Sequence, residues 1–266
     1  MPFVFRLSAA LAVTALSAGL SAQSPEFEVA SVKAHPAGDP REFMVALPGR
    51  FEAANTSLKM LIRTAFQLQN DQIVGGPAWI TTDRFDVDAR APDGYGPNYG
   101  LLAGMMQSLL SDRFKLVTHT EKRELPVFAL ERARRDGTTG PGLIPTACPE
   151  LSSDLSTSTL CVNIQTGLGS LRLRGMPLSQ FVPFLSANLN RVVVDRTGLQ
   201  DRYDMDLKWT PDPANPGPAG AAPAGADPNA VSIFTALQEQ LGLRLTATRA
   251  MVDVLVIDSL EHPAPN

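Results

Sequence analysis

RFEAANTSLKMLIRTAF (residues 50–66) and SLRLRGMPLSQFVPFL (residues 170–185) decide how this chain is read. Laid one on the other, Phe51, Ala53, Leu58, Leu61 and Ile62 fall on Leu171, Leu173, Leu178, Phe181 and Val182. Each stretch is a short alternating strand, a turn, then apolar residues at helical spacing. Leu58, Leu61, Ile62 and Ala65 occupy i, i+3, i+4 and i+7, one face of a helix. Thr56 or Ser57 can cap that helix by accepting a bond from an early, otherwise unpaired N–H. Pro183 removes one donor from the second copy, which predicts a kink or a delayed helix there.

Two further blocks recur in the same order. DRFDVDARA (residues 83–91) matches DRYDMDLKW (residues 201–209). Phe85, Val87 and Ala89 face one way and Asp86, Asp88 and Arg90 the other, the alternation of a half-buried strand. Tyr203, Met205 and Leu207 take the inward places in the second copy. GLLAGMMQSLLSDRFKLVTHTEKRELPVFALERA, from Gly100, matches SIFTALQEQLGLRLTATRAMVDVLVIDSLE, from Ser232. Both read as a helix followed by two strands, with Ser232 as a cap, Gly242 as a left-handed stop and Val252–Ile257 as a buried strand. Each half therefore reads β-α-β-β-α-β-β. The expected fold class is α+β, two tandem modules from an internal duplication, with helices packed on small sheets. Residues 23–133 form the first module, 134–169 a linking loop and 170–266 the second. FEVASV (residues 27–32) is an extra strand that joins an edge. Residues 211–230, rich in Pro and Ala without aromatic or cation, form a solvated insertion within the second module.

The chain has 266 residues, 23 Lys+Arg against 27 Asp+Glu, and a formal charge of −4. That acid excess argues against a nucleic-acid partner, which calls for a basic patch. MPFVFRLSAALAVTALSAGLSA (residues 1–22) has one Arg, an apolar run and small residues at its end, the pattern of a secretory signal peptide cleaved after Ala22. No later stretch is apolar enough to span a bilayer, so no stable membrane span is expected in the mature chain. Export to the periplasm or beyond the cell makes a disulfide between Cys148 and Cys161 the expected fate of the two cysteines. Closing that loop would stabilise by about 3 kcal/mol.

FEVASVK, GRFEAANTSLKMLIRTAF, GGPAWITTDRFDVDA, LLSDRFKLVTHTEKRELPVFAL, VVDRTGLQDRYDMDLKWTPD, SIFTALQEQLGLRL and VLVIDSLEHPAPN together resemble an uncharacterised secreted family of soil bacteria that carries a domain of unknown function. The resemblance covers nearly all of the mature chain and implies no activity or catalytic residue. Each half is also weakly similar to the small periplasmic modules at the N-termini of secretins and signalling outer-membrane receptors. In the second copy Leu178, Val193, Val194, Asp195, Leu237, Leu241, Gly242 and Leu243 carry that likeness. It implies protein partners.

Chemistry is sparse. His35, His119 and His262 stand in no metalloprotease, nucleophile-elbow, phosphate-loop or dinucleotide motif. No cofactor or metal site is expected. Asp86 with Asp88, and Asp204 with Asp206, project from one strand face and suit either cation binding, acid–base work or a plain solvated face countered by Arg84 and Arg202. Trp79 and Trp209 are candidate binding anchors, with core packing as the competing role. The leading functional expectation is a protein-interaction module of the cell envelope or extracellular space. The alternative is a secreted hydrolase using paired carboxylates or an unmarked Ser.

Overall fold

A computed structural model describes residues 25–47, 49–92, 99–146, 163–167, 169–211 and 231–263. The expected signal segment, Cys148, Cys161 and nearly all of the Pro/Ala insertion lie outside the described residues. The described chain is α+β: three four-stranded sheets with five short helices packed on them.

The first sheet contains β1 (Val29–Ala34), β2 (Phe43–Leu47), β3 (Arg50–Ser57) and β5 (Arg84–Arg90), in the order β1-β5-β3-β2, antiparallel throughout. Phe51, Ala53, Phe85, Val87 and Ala89 alternate inward and are buried. They meet α1 (Leu58–Ala65), whose Leu58, Leu61, Ile62 and Ala65 are fully covered. Ser57, not Thr56, caps this helix, accepting from the Met60 N–H at 3.3 Å. The short α2 (Trp79–Thr82) and the longer α3 (Tyr99–Phe114) close the same core, α3 through Met106, Leu110 and Phe114. The extra N-terminal strand, β1, lies at an edge, as its sequence suggested.

The second sheet contains β7 (Leu143–Pro145), β8 (Asn163–Gly167), β9 (Ser170–Pro177) and β11 (Arg202–Lys208), in the order β7-β11-β9-β8. β7 and β8 fall in residues 134–169, which the sequence presents as a link. α4 (Leu178–Leu189) runs on through Pro183, because Phe181 and Leu185 on either side are both buried in the second core. α5 (Ile233–Ala236) continues as a π-helical turn over Leu237–Leu241 and stops at Gly242, whose φ of 70° is left-handed.

The two sheets repeat in detail. β2 pairs with β3 from Phe43↔Ala54 to Leu47↔Arg50, and β8 with β9 from Asn163↔Arg174 to Gly167↔Ser170, the same register 120 residues on. Both inner strands bulge at the same point, and the bulge residue is left-handed in each: Asn55 at φ 55° and Gly175 at φ 61°.

The third sheet joins the halves. β6 (Val117–Arg132) and β12 (Leu243–Ser259) run antiparallel from Leu243↔Arg132 to Ser259↔Val117. The short β4 (Ile73–Gly75) lies parallel to β12, and β10 (Val193–Asp195) parallel to β6. Each half's short strand thus rides on the long strand of the other half. Leu130 of β6 enters the second core, while Leu255 and Ile257 of β12 enter the first.

The sequence divides each of these blocks into two strands; the structure keeps each as one. No Gly or Asn interrupts the intervening TATRAM of β12, so nothing turns the chain. Its apolar pattern lapses there because Ala247, Arg249 and Met251 pass between the two cores and are exposed. Pro126 of β6 lies outside the stretch Phe128–Leu130 that pairs with β10.

Candidate functional site

The outward face of the first sheet carries the acidic pair singled out in the sequence. Asp86 Oδ1 accepts the Asn55 N–H at 3.0 Å and lies 2.7 Å from His35 Nδ1. Asp88 is held by Arg50, at 3.0 Å. On the second sheet Asp204 accepts the Gly175 N–H at 2.9 Å, and Asp206 is gripped by Arg172 and Arg174. Burial pushes the Asp206 carboxyl up, but the two guanidiniums outweigh it and hold the group below the usual carboxylate range. The counter-charges of Asp88 and Asp206 therefore come from β3 and β9, while Asp86 has His35 and, at 3.9 Å, Arg41 beside it. Arg84 and Arg202 do not supply them; Arg202 instead donates to the Gly175 carbonyl. Arg172 stands directly opposite Asp206, while Arg50 and Arg174 reach their aspartates diagonally across the strands, a span that long side chains bridge.

These carboxylates thus have a structural use. A left-handed residue in a bulge turns its N–H out of the ladder, and an aspartate on the adjoining strand accepts it. The paired carboxylates engage bulges and guanidiniums and do not face each other across a cavity.

The histidines are equally committed. His35 has Asp86 Oδ1 on Nδ1 and the Asp39 carbonyl, at 3.0 Å, on Nε2. His119 has Asp258 at 2.8 Å on Nδ1 and Glu121 at 3.1 Å on Nε2. With acceptors at both nitrogens, each ring is favoured as an imidazolium, and the pKa of both is raised: by the Asp39 carbonyl and then Asp86 for His35, by Asp258 and then Glu121 for His119. A ring so placed, when it carries both protons, donates two bonds. His262 contacts Asp83 through Nε2 at 3.0 Å and stacks on Trp79, centroids 3.9 Å apart. Among the described residues no group of three or more His, Cys, Asp or Glu is arranged to hold a metal ion.

Trp79 and Trp209 are half-buried, one on each core. Trp79 meets Phe85 edge-on as well as His262; Trp209 meets Phe184 edge-on. Two open hollows of about 350 and 700 Å³ flank α3, lined in common by Glu26, Ser108 and Asp112 and by no histidine. The Ser108 hydroxyl there donates to the Pro25 carbonyl.

The surface that sequence reasoning missed is β2. It is an edge strand, and in an antiparallel ladder every second residue of an edge turns its N–H and C=O to the free side. Phe43, Val45 and Leu47 alternate along its outward face, 40%, 36% and 47% exposed, and Met44 is exposed on the other face. At the same places β8 carries Asn163, Gln165 and Gly167. The fold therefore does not require apolar side chains at this edge. The readable signal was FMVAL followed by Pro48-Gly49 and another strand, a hairpin pattern.

A model of a protein family described as "Protein of unknown function (DUF3738)" matches residues 59–260. The chain belongs to DUF3738. The match takes in the second core, the central sheet and part of the first core; β1, β2 and β3, which bring Val32, Phe51 and Ala53 to that first core, lie before it. No curated protein and no solved structure matches the chain. Among the described residues no helix of this DUF3738 chain is long and apolar enough to cross a membrane.

Proposed function

We propose that the chain is a protein-interaction module of the cell envelope or extracellular space, and that it takes an extended segment of a partner onto the free edge of β2. The carrying observation is the apolar row Phe43, Val45 and Leu47 at an edge whose equivalent row in the second sheet, Asn163, Gln165 and Gly167, carries no apolar side chain. An exposed, apolar edge strand is a hazard that proteins usually blunt with charge or proline. Here, among the described residues, it is left open. An added strand would gain backbone hydrogen bonds along the edge, and its alternate side chains would lie beside the apolar row. The secretory signal pattern of residues 1–22 and the weak likeness to secretin modules support the compartment and the kind of partner.

A library of displayed extended peptides panned on the purified chain tests this. The reading expects selected peptides with apolar residues at every second position, amide shifts centred on residues 43–47, and loss of binding in Val45→Lys with the fold retained. Binding that survives Val45→Lys, or that maps to another surface, overturns it.

A further inference from the structure

β1 and β2 lie at opposite edges of the first sheet, so residues 35–42, which connect them, must cross β5 and β3. They cross on the outward face, where His35 meets Asp86. The fastening is specific. The His35 N–H donates to the Arg84 carbonyl at 2.8 Å, continuing the β1–β5 ladder, and the ring, 7% exposed, is clamped between Asp86 and the Asp39 carbonyl. Residues 36–39 turn through Gly38, at φ 87°, with the Asp39 N–H bonded to the Pro36 carbonyl. Arg41 then grips the Asp39 carboxylate through Nε and Nη2 and lies 3.9 Å from Asp86. The Arg41 guanidinium holds the Asp39 carboxyl down to about 2, so this second fastening does not titrate near neutral pH.

The second sheet supplies an internal control. Asp204 pins the Gly175 bulge by the same bond that Asp86 makes to Asn55, yet among the described residues it faces Arg174 and no histidine. The bulge does not need an imidazole, so His35 serves the crossing segment.

We propose that residues 35–42 are a proton-operated strap over the outward face of the first sheet, closed while the His35 ring carries both protons and released at its Asp39 end when one leaves to solvent. The carboxylate of Asp86 is the stronger acceptor, so Nδ1 keeps its proton. Nε2 is left with a lone pair aimed at the lone pairs of the Asp39 carbonyl, and that contact turns from attraction to repulsion. The charged groups around the ring are Asp86 and Arg84 from β5, Lys33 from β1 (directly across from Asp86), and Asp39 and Arg41 from the strap; β3 contributes the neutral Asn55 amide. The Asp86 carboxylate and the Asp39 backbone carbonyl, both acceptors, touch the ring directly, so the cationic form is favoured at the closed strap. The strap stands whether or not β2 takes a partner.

Amide exchange of the whole chain, followed by NMR alongside the His35 ring resonances, tests the strap. After correction for intrinsic base catalysis, the Asp39 and Arg41 amides are expected to exchange faster above the ring's titration midpoint. The step should be about tenfold for each unit by which that midpoint exceeds the ordinary histidine value. The Asn55 amide should stay protected. His35→Gln should abolish the step, and His119→Gln, which alters another doubly bonded ring, should leave it in place. A wild-type chain with no step, or with a step whose midpoint differs from that of the His35 ring, overturns the proposal even if His35→Gln does not fold. A step that persists in His35→Gln or moves with His119→Gln overturns it as well.

Discussion

Leu130→Ala tests whether the two halves behave as one cooperative unit. Leu130 belongs to β6, the last strand of the first half, but its side chain is fully buried in the core of the second. Truncation removes three carbons, about 2.4 kcal/mol at roughly 0.8 kcal/mol per methylene. The cavity left behind brings the cost to about 3–4 kcal/mol, within the usual span for a buried leucine. With a urea slope of about 3 kcal/mol/M for a chain of this size, the midpoint should fall by about 1 M. Trp79 lies on the first core and Trp209 on the second, so Trp79→Phe and Trp209→Phe leave one reporter for each. Both reporters should give the same midpoint in the parent, and both should move by the same amount when Leu130 is truncated. The ladder from Leu243↔Arg132 to Ser259↔Val117 cannot open in one half while it persists in the other. A transition that moves for Trp209 and stays for Trp79 would show independent halves and refute the reasoning.

Four further outcomes follow from the geometry. Asn55→Val should cost about 1–2 kcal/mol in chemical denaturation, since a β-branched residue resists the left-handed region, while Asn55→Gly should be close to neutral. Gly175→Asn should be tolerated, because Asn55 already fills the equivalent place in the first sheet; a loss as large as that of Gly175→Val would count against the equivalence. His35 and His119 have raised pKa values when folded, so the stability they add is complete below the ordinary histidine value of about 6.5 and fades as pH rises through their folded values. Thermal melts should therefore show a lower Tm at about pH 8 than at about pH 6, and the double variant His35→Gln, His119→Gln should flatten that difference. Ser57→Ala should cost about 1 kcal/mol through the lost α1 cap, measured against Thr56→Ser as a control for the neighbouring hydroxyl.

Much of the architecture was legible because it rests on local rules. The inward alternation of Phe85, Val87 and Ala89, the α1 stripe, the Ser232 cap and the Gly242 stop each appear in the residues themselves and recur in the fold. The sequence divides β6 and β12 into two strands each, since a lapse in apolar pattern looks the same at a turn and at an exposed stretch between two cores. Of the candidate sites, the aspartates were visible as a pattern, but their partners were not. Asp86 and Asp204 are defined by bulges on a neighbouring strand, and no spacing along their own strand points to those bulges. The five apolar residues of β2, without a polar alternation, give no side to face outward.

Local chemistry written along the chain is enough to set element types, caps and inward faces, because periodicity and capping act over a few residues. It also sets the recurrence of one pattern in both halves. Strand partnership belongs to the tertiary structure alone. Only the folded chain lays β4 on β12 and β10 on β6, runs β12 from the second core to the first, sets Leu130 of β6 in the second core, carries residues 35–42 across the sheet to seat His35 on Asp86, and, among the described residues, leaves the apolar row of β2 exposed. Backbone hydrogen bonds between strands are nearly the same for every pair of residues, so the choice of neighbour is decided by where the apolar side chains of the whole molecule can be buried together.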